Sequence, residues 1–415
     1  MPNEDRLNNS IQTIPIDRIL QTEAKPDGVF YPSTRVISAL SPVVVRQDDP
    51  GGARYQEALG YEFIINRSGF PGLTRMDDGR LVLTLHAMLR PQSPADGEGA
   101  SATSLILFSQ DDGMSWTQPK RIDIRRCSPV NLGGRKLMLR GFRADGENQG
   151  PWGFRFSDDA GGTWSPLEPM PLLPDGRPAH TDVSYHPLVE GNVVTFLFWA
   201  RVGQGHSNWE KGEVGTEALV WRYRLDSHAW DEPVFLPREW GLNEGSVTRA
   251  GDGSLVAVIR TQMLGTPLHN NDHLMGMATC RSTDQGQTWT PPVRHFHYGH
   301  HHCSLQNLPD GRILLTYVAR IGQLDGRTYH GVEAVLSHDH GATWDWEHRY
   351  ILYRTPDACP HSPQSAVLSD GRILTVLMDH TTYSWSDRSD EPAELTKYNI
   401  STRASHVHAV IWSIA

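Results

Sequence analysis

A short polar turn followed by an apolar strand recurs six times along the chain, as DDGRLVLTLHA, GGRKLMLRGF, EGNVVTFLFWAR, GDGSLVAVIRTQ, PDGRILLTYVAR and SDGRILTVLMDH. Each apolar run is short, rich in β-branched and aromatic residues and bounded by chain breakers, which is the pattern of a buried strand. The turns begin near Asp78, Gly133, Glu190, Asp252, Asp310 and Asp370. They are separated by roughly sixty residues, a length that suits four short strands and their connections. A second repeat interleaves with the first, the octet Ser-x-Asp-x-Gly-x-(Thr/Ser)-Trp at Ser109 to Trp116, Ser157 to Trp164, Ser282 to Trp289 and Ser337 to Trp344. Its residues are those of a hairpin turn: Asp bonds turn amides, Gly supplies positive φ, and Trp is free to pack between neighbouring repeats. The third unit carries only a decayed octet, RLDSHAW, and the sixth carries none.

Six such units predict an all-β chain folded as a six-bladed β-propeller of four-stranded antiparallel blades. Each blade reads as inner strand, turn, second strand, loop, third strand, octet and outer strand. The sixth unit runs out of chain at HVHAVIWSIA, one strand short, while RVISALSPVVVR (Arg35 to Arg46) precedes the first unit and belongs to no other. That N-terminal segment is therefore predicted to supply the last blade's outer strand, removing exposed sheet edges. Length alone would suggest two or three domains. No linker interrupts the repeats, however, so residues 35–415 are expected to form one propeller and residues 1–34 an arm.

The octet is the Asp box, and through it the chain resembles the sialidase-like propeller superfamily over nearly its whole length. Asp boxes themselves read as structural, since turn formation accounts for their composition.

Bulk properties narrow the function classes. The formal charge is -10, and no Lys/Arg-rich run occurs, which excludes nucleic acid and anionic membranes as expected partners. The N-terminus lacks a signal-peptide pattern and no apolar run is long enough to span a bilayer, so a cytoplasmic location is expected. Four cysteines, Cys127, Cys280, Cys303 and Cys359, have neither metal nor disulfide-framework spacing and read as reduced, buried thiols.

In a propeller the start of each inner strand and the end of each second strand meet at one face near the axis. Eight residues before the turns lie Phe70, Arg125, Asp182, Glu244, His302 and Ser362. The second strands end around His86, Arg143, Arg201, Arg260, Arg320, and the pair Asp379 and His380. So much charge at one rim points to an anionic ligand, because arginine's planar fork matches a carboxylate. The alternative is a structural network in which these arginines pair with Asp182, Glu244 and Asp379. Histidines also gather there, including His180, the run HYGHHH ending at His302, and His361, of 20 in the chain. They could act in proton transfer or, with a carboxylate, hold a divalent metal, although no cofactor is required by the chemistry proposed.

The sialidase resemblance implies three arginines clamping a substrate carboxylate, a Tyr–Glu pair providing the nucleophile and an Asp as general acid/base. It places Glu244 as the tyrosine's partner and Arg260 and Arg320 in the clamp. Two positions depart from the pattern. Gly69-Phe70-Pro71 stands where the family has Arg-Ile-Pro, and Ser362, within HSPQS, stands near the family's nucleophilic Tyr. Tyr383, Tyr298, Tyr329 and Tyr185 remain as loop candidates, and spacing selects none of them.

Three functions follow. The first is a glycoside hydrolase acting on an acidic sugar at a glycan terminus, with Arg201, Arg260 and Arg320 on the carboxylate, Glu244 polarising a nucleophile or water, and Asp182 or Asp379 protonating the leaving oxygen. The second is a uronate lyase in which His302 or His361 removes the C5 proton and a Tyr returns one. The third is a noncatalytic glycan-binding propeller. His86, Arg143 and His380 complete the predicted binding rim in each case.

Overall fold

The computed structural model describes residues 35–36, 41–46, 63–91, 101–117, 119–142, 152–181, 185–202, 215–237, 241–262, 275–297, 299–324, 327–355, 360–380 and 405–414. These residues form six antiparallel sheets in a ring, a six-bladed propeller without an α-helix among them. In blade four, for example, the inner strand Gly241–Arg249 pairs with Leu255–Gln262, then Gly276–Ser282, then the outer strand Val293–Phe296. The six inner turns use glycine in the left-handed region: Gly79, Gly133, Gly191, Gly253, Gly311 and Gly371 all have positive φ.

Closure follows the predicted device with one difference. Ser41–Arg46 pairs antiparallel with Ser405–Trp412 and is the outer strand of blade six. Arg35–Val36, predicted as part of the same strand, instead pairs in parallel with Tyr350 and Ile351 on the outer edge of blade five. The intervening residues and the predicted arm, 1–34, lie outside the described residues.

All four octets form hydrogen-bonded turns. In the second, Ser157 Oγ donates to Asp159 Oδ1 at 2.8 Å and accepts from the Gly161 amide, while Thr163 donates to Asp159 through both its amide and its hydroxyl. Each turn docks on the preceding blade: a Cβ on Gly341 would come within 2.7 Å of Val256, and one on Gly161 within 2.8 Å of Phe108. The hydrophobic core is accordingly divided into clusters between neighbouring blades. Trp344 joins the one between blades four and five, and Trp289 the one between three and four.

Candidate active site at the propeller axis

The axial ends of the inner strands share a local irregularity. The ladder skips from Gly69 to Gly72, Arg125 to Ser128, Leu242 to Gly245, His301 to Ser304 and His361 to Gln364. Such bulges place two residues opposite one and re-aim side chains out of simple alternation. Phe70, Arg126, His302 and Ser362, the first extra residue in four of them, have left-handed φ of 45°, 45°, 49° and 53°. Counting back from the turns therefore reaches the bulge in blades one, four, five and six. In blade two the left-handed residue is Arg126, one beyond Arg125, and in blade four the two bulged residues are Asn243 and Glu244.

These bulges bring side chains from different blades into contact. Glu244 Oε2 lies 2.5 Å from Arg260 Nη1, across the same hairpin, and 3.7 Å from His302 Nδ1 of blade five. Tyr185, on the approach to the inner strand of blade three, directs its hydroxyl between them. It donates to Glu244 Oε2 at 3.2 Å and lies 3.2 Å from His302 Nδ1. The His302 ring meets His361 of blade six edge to face at 4.6 Å between centroids, and His361 Nε2 is 2.9 Å from Arg320 Nη2. Arg320 also donates to the Pro360 carbonyl. From His361 the chain of contacts continues to Phe70 (6.5 Å), whose ring touches His86 (6.2 Å) and carries the Arg126 guanidinium 4.5 Å above it. Arg140 of blade two reaches the Tyr185 carbonyl at 3.0 Å.

Among the predicted residues, Glu244, Arg260, His302, His361 and Arg320 thus converge, and His86 joins them through Phe70. Arg201 lies elsewhere on this rim, beside His180; burial, aided by the Arg201 charge, pushes that imidazole down to about 4. His180 also stacks on Trp199 at 4.6 Å. Asp379 and His380 end the second strand of blade six, paired with His406 and Ser405, and only their backbone is described. Asp182 and Arg143 lie outside the described residues, as do Tyr298 and Tyr383. Cys303 is buried, and burial pushes its thiol up, away from thiolate chemistry.

Three residues of the network escaped the sequence reading, among them Arg126, one beyond the Arg125 that the count reaches. Tyr185 was one loop tyrosine among four, and no spacing rule singles it out. Arg140 left a signal, a charge inside the apolar run KLMLRGF, at a position expected to face the core.

Among the described residues, the electrostatic balance is cationic. The network as described contains four arginines, Arg126, Arg140, Arg260 and Arg320, and one carboxylate, Glu244. Arg140, Arg260, Arg320, Tyr185 and His302 are all buried, whereas the Glu244 side chain retains 16% exposure. Among the described residues, no group of three or more His, Cys, Asp and Glu side chains is arranged to hold a metal ion, and no helix is long and apolar enough to cross a membrane.

Solved structures that include a sialidase and an arabinofuranosidase share this fold. A protein of unknown function from Dyadobacter fermentans superposes with a TM-score of 0.57 at 18% identity, over 84% of this chain and 95% of that one. The NanB sialidase of Streptococcus pneumoniae gives 0.55 at 10% identity, over 91% and 71%. The GH93 α-L-arabinofuranosidase of Fusarium graminearum, solved with arabinobiose, gives 0.52 at 13% identity, over 90% and 97%. No protein-family model matches the chain, and neither does any curated protein. At these identities the likeness establishes the fold.

Proposed function

We propose that the protein is a glycoside hydrolase for a carboxylate-bearing sugar, with its reaction centre at Tyr185, Glu244 and His302. One observation carries this reading: the Tyr185 hydroxyl is held between a carboxylate and an imidazole inside a network with a surplus of arginines. Glu244 is placed to take the phenolic proton as the tyrosine oxygen bonds to the anomeric carbon and the glycosidic C–O bond breaks. The leaving oxygen takes a proton from an acid, a role the sequence gives to Asp182 or Asp379. Water then cleaves the glycosyl–tyrosine bond and restores the phenol. Arg260 and Arg320 supply positive charge for the substrate carboxylate, and a site with four guanidiniums favours such an anion over a neutral sugar. The superposed sialidase and arabinofuranosidase support carbohydrate chemistry without specifying the sugar.

A second reading, elimination from a uronate, is favoured by the contact between Tyr185 and His302, since an imidazole base and a phenolic acid side by side suit removal and return of a proton. Incubation with sialosides and uronate oligosaccharides, following reducing ends and ultraviolet absorbance together, tests both. Hydrolysis raises only the first signal, and elimination raises both. Binding without either signal would leave a noncatalytic glycan-binding propeller and overturn the proposal.

A further inference from the structure

Tyr185 occupies an unusual place for a reacting group. The inner strand of blade three is only Leu188–Glu190, paired with Val193–Thr195, and Tyr185 precedes it. Its backbone is thus outside the ladder that fixes Glu244 and His302, and other groups must hold it.

Two buried side chains do so. Arg140 is 1% exposed, which is costly for a cation unless its donors are used. Its Nη2 donates to the Tyr185 carbonyl at 3.0 Å, and its guanidinium lies 5.7 Å from the Phe196 ring centre. On the next residue, the His186 carbonyl accepts from Ser246 Oγ at 3.3 Å, and Ser246 Oγ in turn accepts from the Leu305 amide at 3.4 Å. Ser246 follows Glu244 by two residues on its strand, and Leu305 follows His302 by three. The serine hydroxyl therefore ties together the three chain segments whose side chains meet at the Tyr185 hydroxyl. His186 fits this picture: burial, reinforced by the Arg140 charge, pushes its imidazole down to about 4, so that Arg140 faces no second cation there at neutral pH.

We infer that Arg140 and Ser246 are positioning residues, which hold the Tyr185–His186 backbone so that the Tyr185 hydroxyl stays in register with Glu244 and His302. The inference rests on the reading of Tyr185 as a reacting group, but its geometry can be tested without a substrate. The probe is the His302 Nδ1 resonance in 15N-histidine-labelled full-length protein, assigned by its loss in His302→Gln. Tyr185→Phe removes the hydroxyl and sets the position of the signal without that contact. Arg140→Met, which keeps side-chain length and removes the donors, is expected to move the signal to the Tyr185→Phe position, and Ser246→Ala to move it in the same direction. If Arg140→Met does not fold, Ser246→Ala decides alone. Variants that fold with lower thermal midpoints and an unmoved His302 signal would make both residues merely structural and overturn the inference. A silent substrate panel alongside shifted signals would instead remove the proposed reaction and leave the positioning intact.

Discussion

Glu244 is the residue at which the fold meets the proposed chemistry. Its strand bulges at Asn243 and Glu244, and its carboxylate meets Arg260 on the facing strand while accepting from Tyr185. Removing the guanidinium in Arg260→Met would strand a largely buried carboxylate, and the expected cost is about 2–3 kcal/mol in urea unfolding, reduced from that of a fully buried pair by the residual exposure of Glu244. Tyr185→Phe is expected to keep the fold and lower turnover roughly 100-fold or more, measured on whichever acidic glycan is cleaved. Much of this candidate site was legible from residue spacing, because Glu244 and His302 lie eight residues before their turns and Arg260 and Arg320 near the ends of second strands. Tyr185 was not, since a count from the blade-three turn stops at Asp182 and says nothing of which irregular residue turns inward. Arg140 was missed for a different reason: strand ends were sampled, and it stands inside a strand.

At the scale of the element, the octet is a turn that also serves as an inter-blade contact. Gly341 has φ 79° and faces Val256, so Gly341→Ala meets both an unfavourable backbone and a filled space. Thermal unfolding should show a loss of about 1–3 kcal/mol. The octet carboxylates are stabilised in their charged form by turn donors; the Thr163 amide and hydroxyl hold Asp159 at about 2, and the Thr288 hydroxyl and amide do the same for Asp284. Their contribution is present above the ordinary Asp value of 3.8 and is lost as pH falls towards 2. Histidines act in an earlier window. Burial pushes His180, His186, His295 and His330 from 6.5 to about 4, so the unfolded chain binds more protons between those values. Stability measured by chemical denaturation should therefore be level from pH 6.5 up to the ordinary thiol value of 9.0, above which the buried thiols oppose it, fall from pH 6.5 to about pH 4, and fall again below 3.8 as the octets protonate. The octets were plain in the sequence because their turn chemistry is local. Blade three hides its turn: His228, in the decayed copy, keeps the left-handed backbone at φ 51° but bonds Tyr223 and Glu168 at 2.9 Å each instead of building an Asp-centred turn.

For the whole molecule, closure of the ring decides whether the axial side chains meet at all. The inter-blade core between blades one and six draws on Leu81 and Leu83 from one and Leu374 and Val376 from the other, so an opened ring would expose both faces. Deleting residues 1–46 removes the strand paired with Ser405–Trp412 and bares that strand's edge. The truncated chain should unfold at a lower temperature than the full chain and self-associate in light scattering. Six blades and their closure could be read from the repeat period, whereas the two-residue parallel bridge at Arg35–Val36 could not, because so short a pairing imposes no hydrophobic pattern. The bulges have the same standing: they are fixed by how inner strands converge on the axis, and no local motif announces them.

The axial site is tested most directly by the rate at which Glu244→Gln, beside the wild-type protein, releases product from an acidic glycan that the wild type cleaves, with thermal midpoints taken in parallel. A working Glu244–Tyr185 pair predicts a rate lower by roughly 100- to 10,000-fold with the propeller still folded. An unchanged rate in the folded variant would place the chemistry away from the axis.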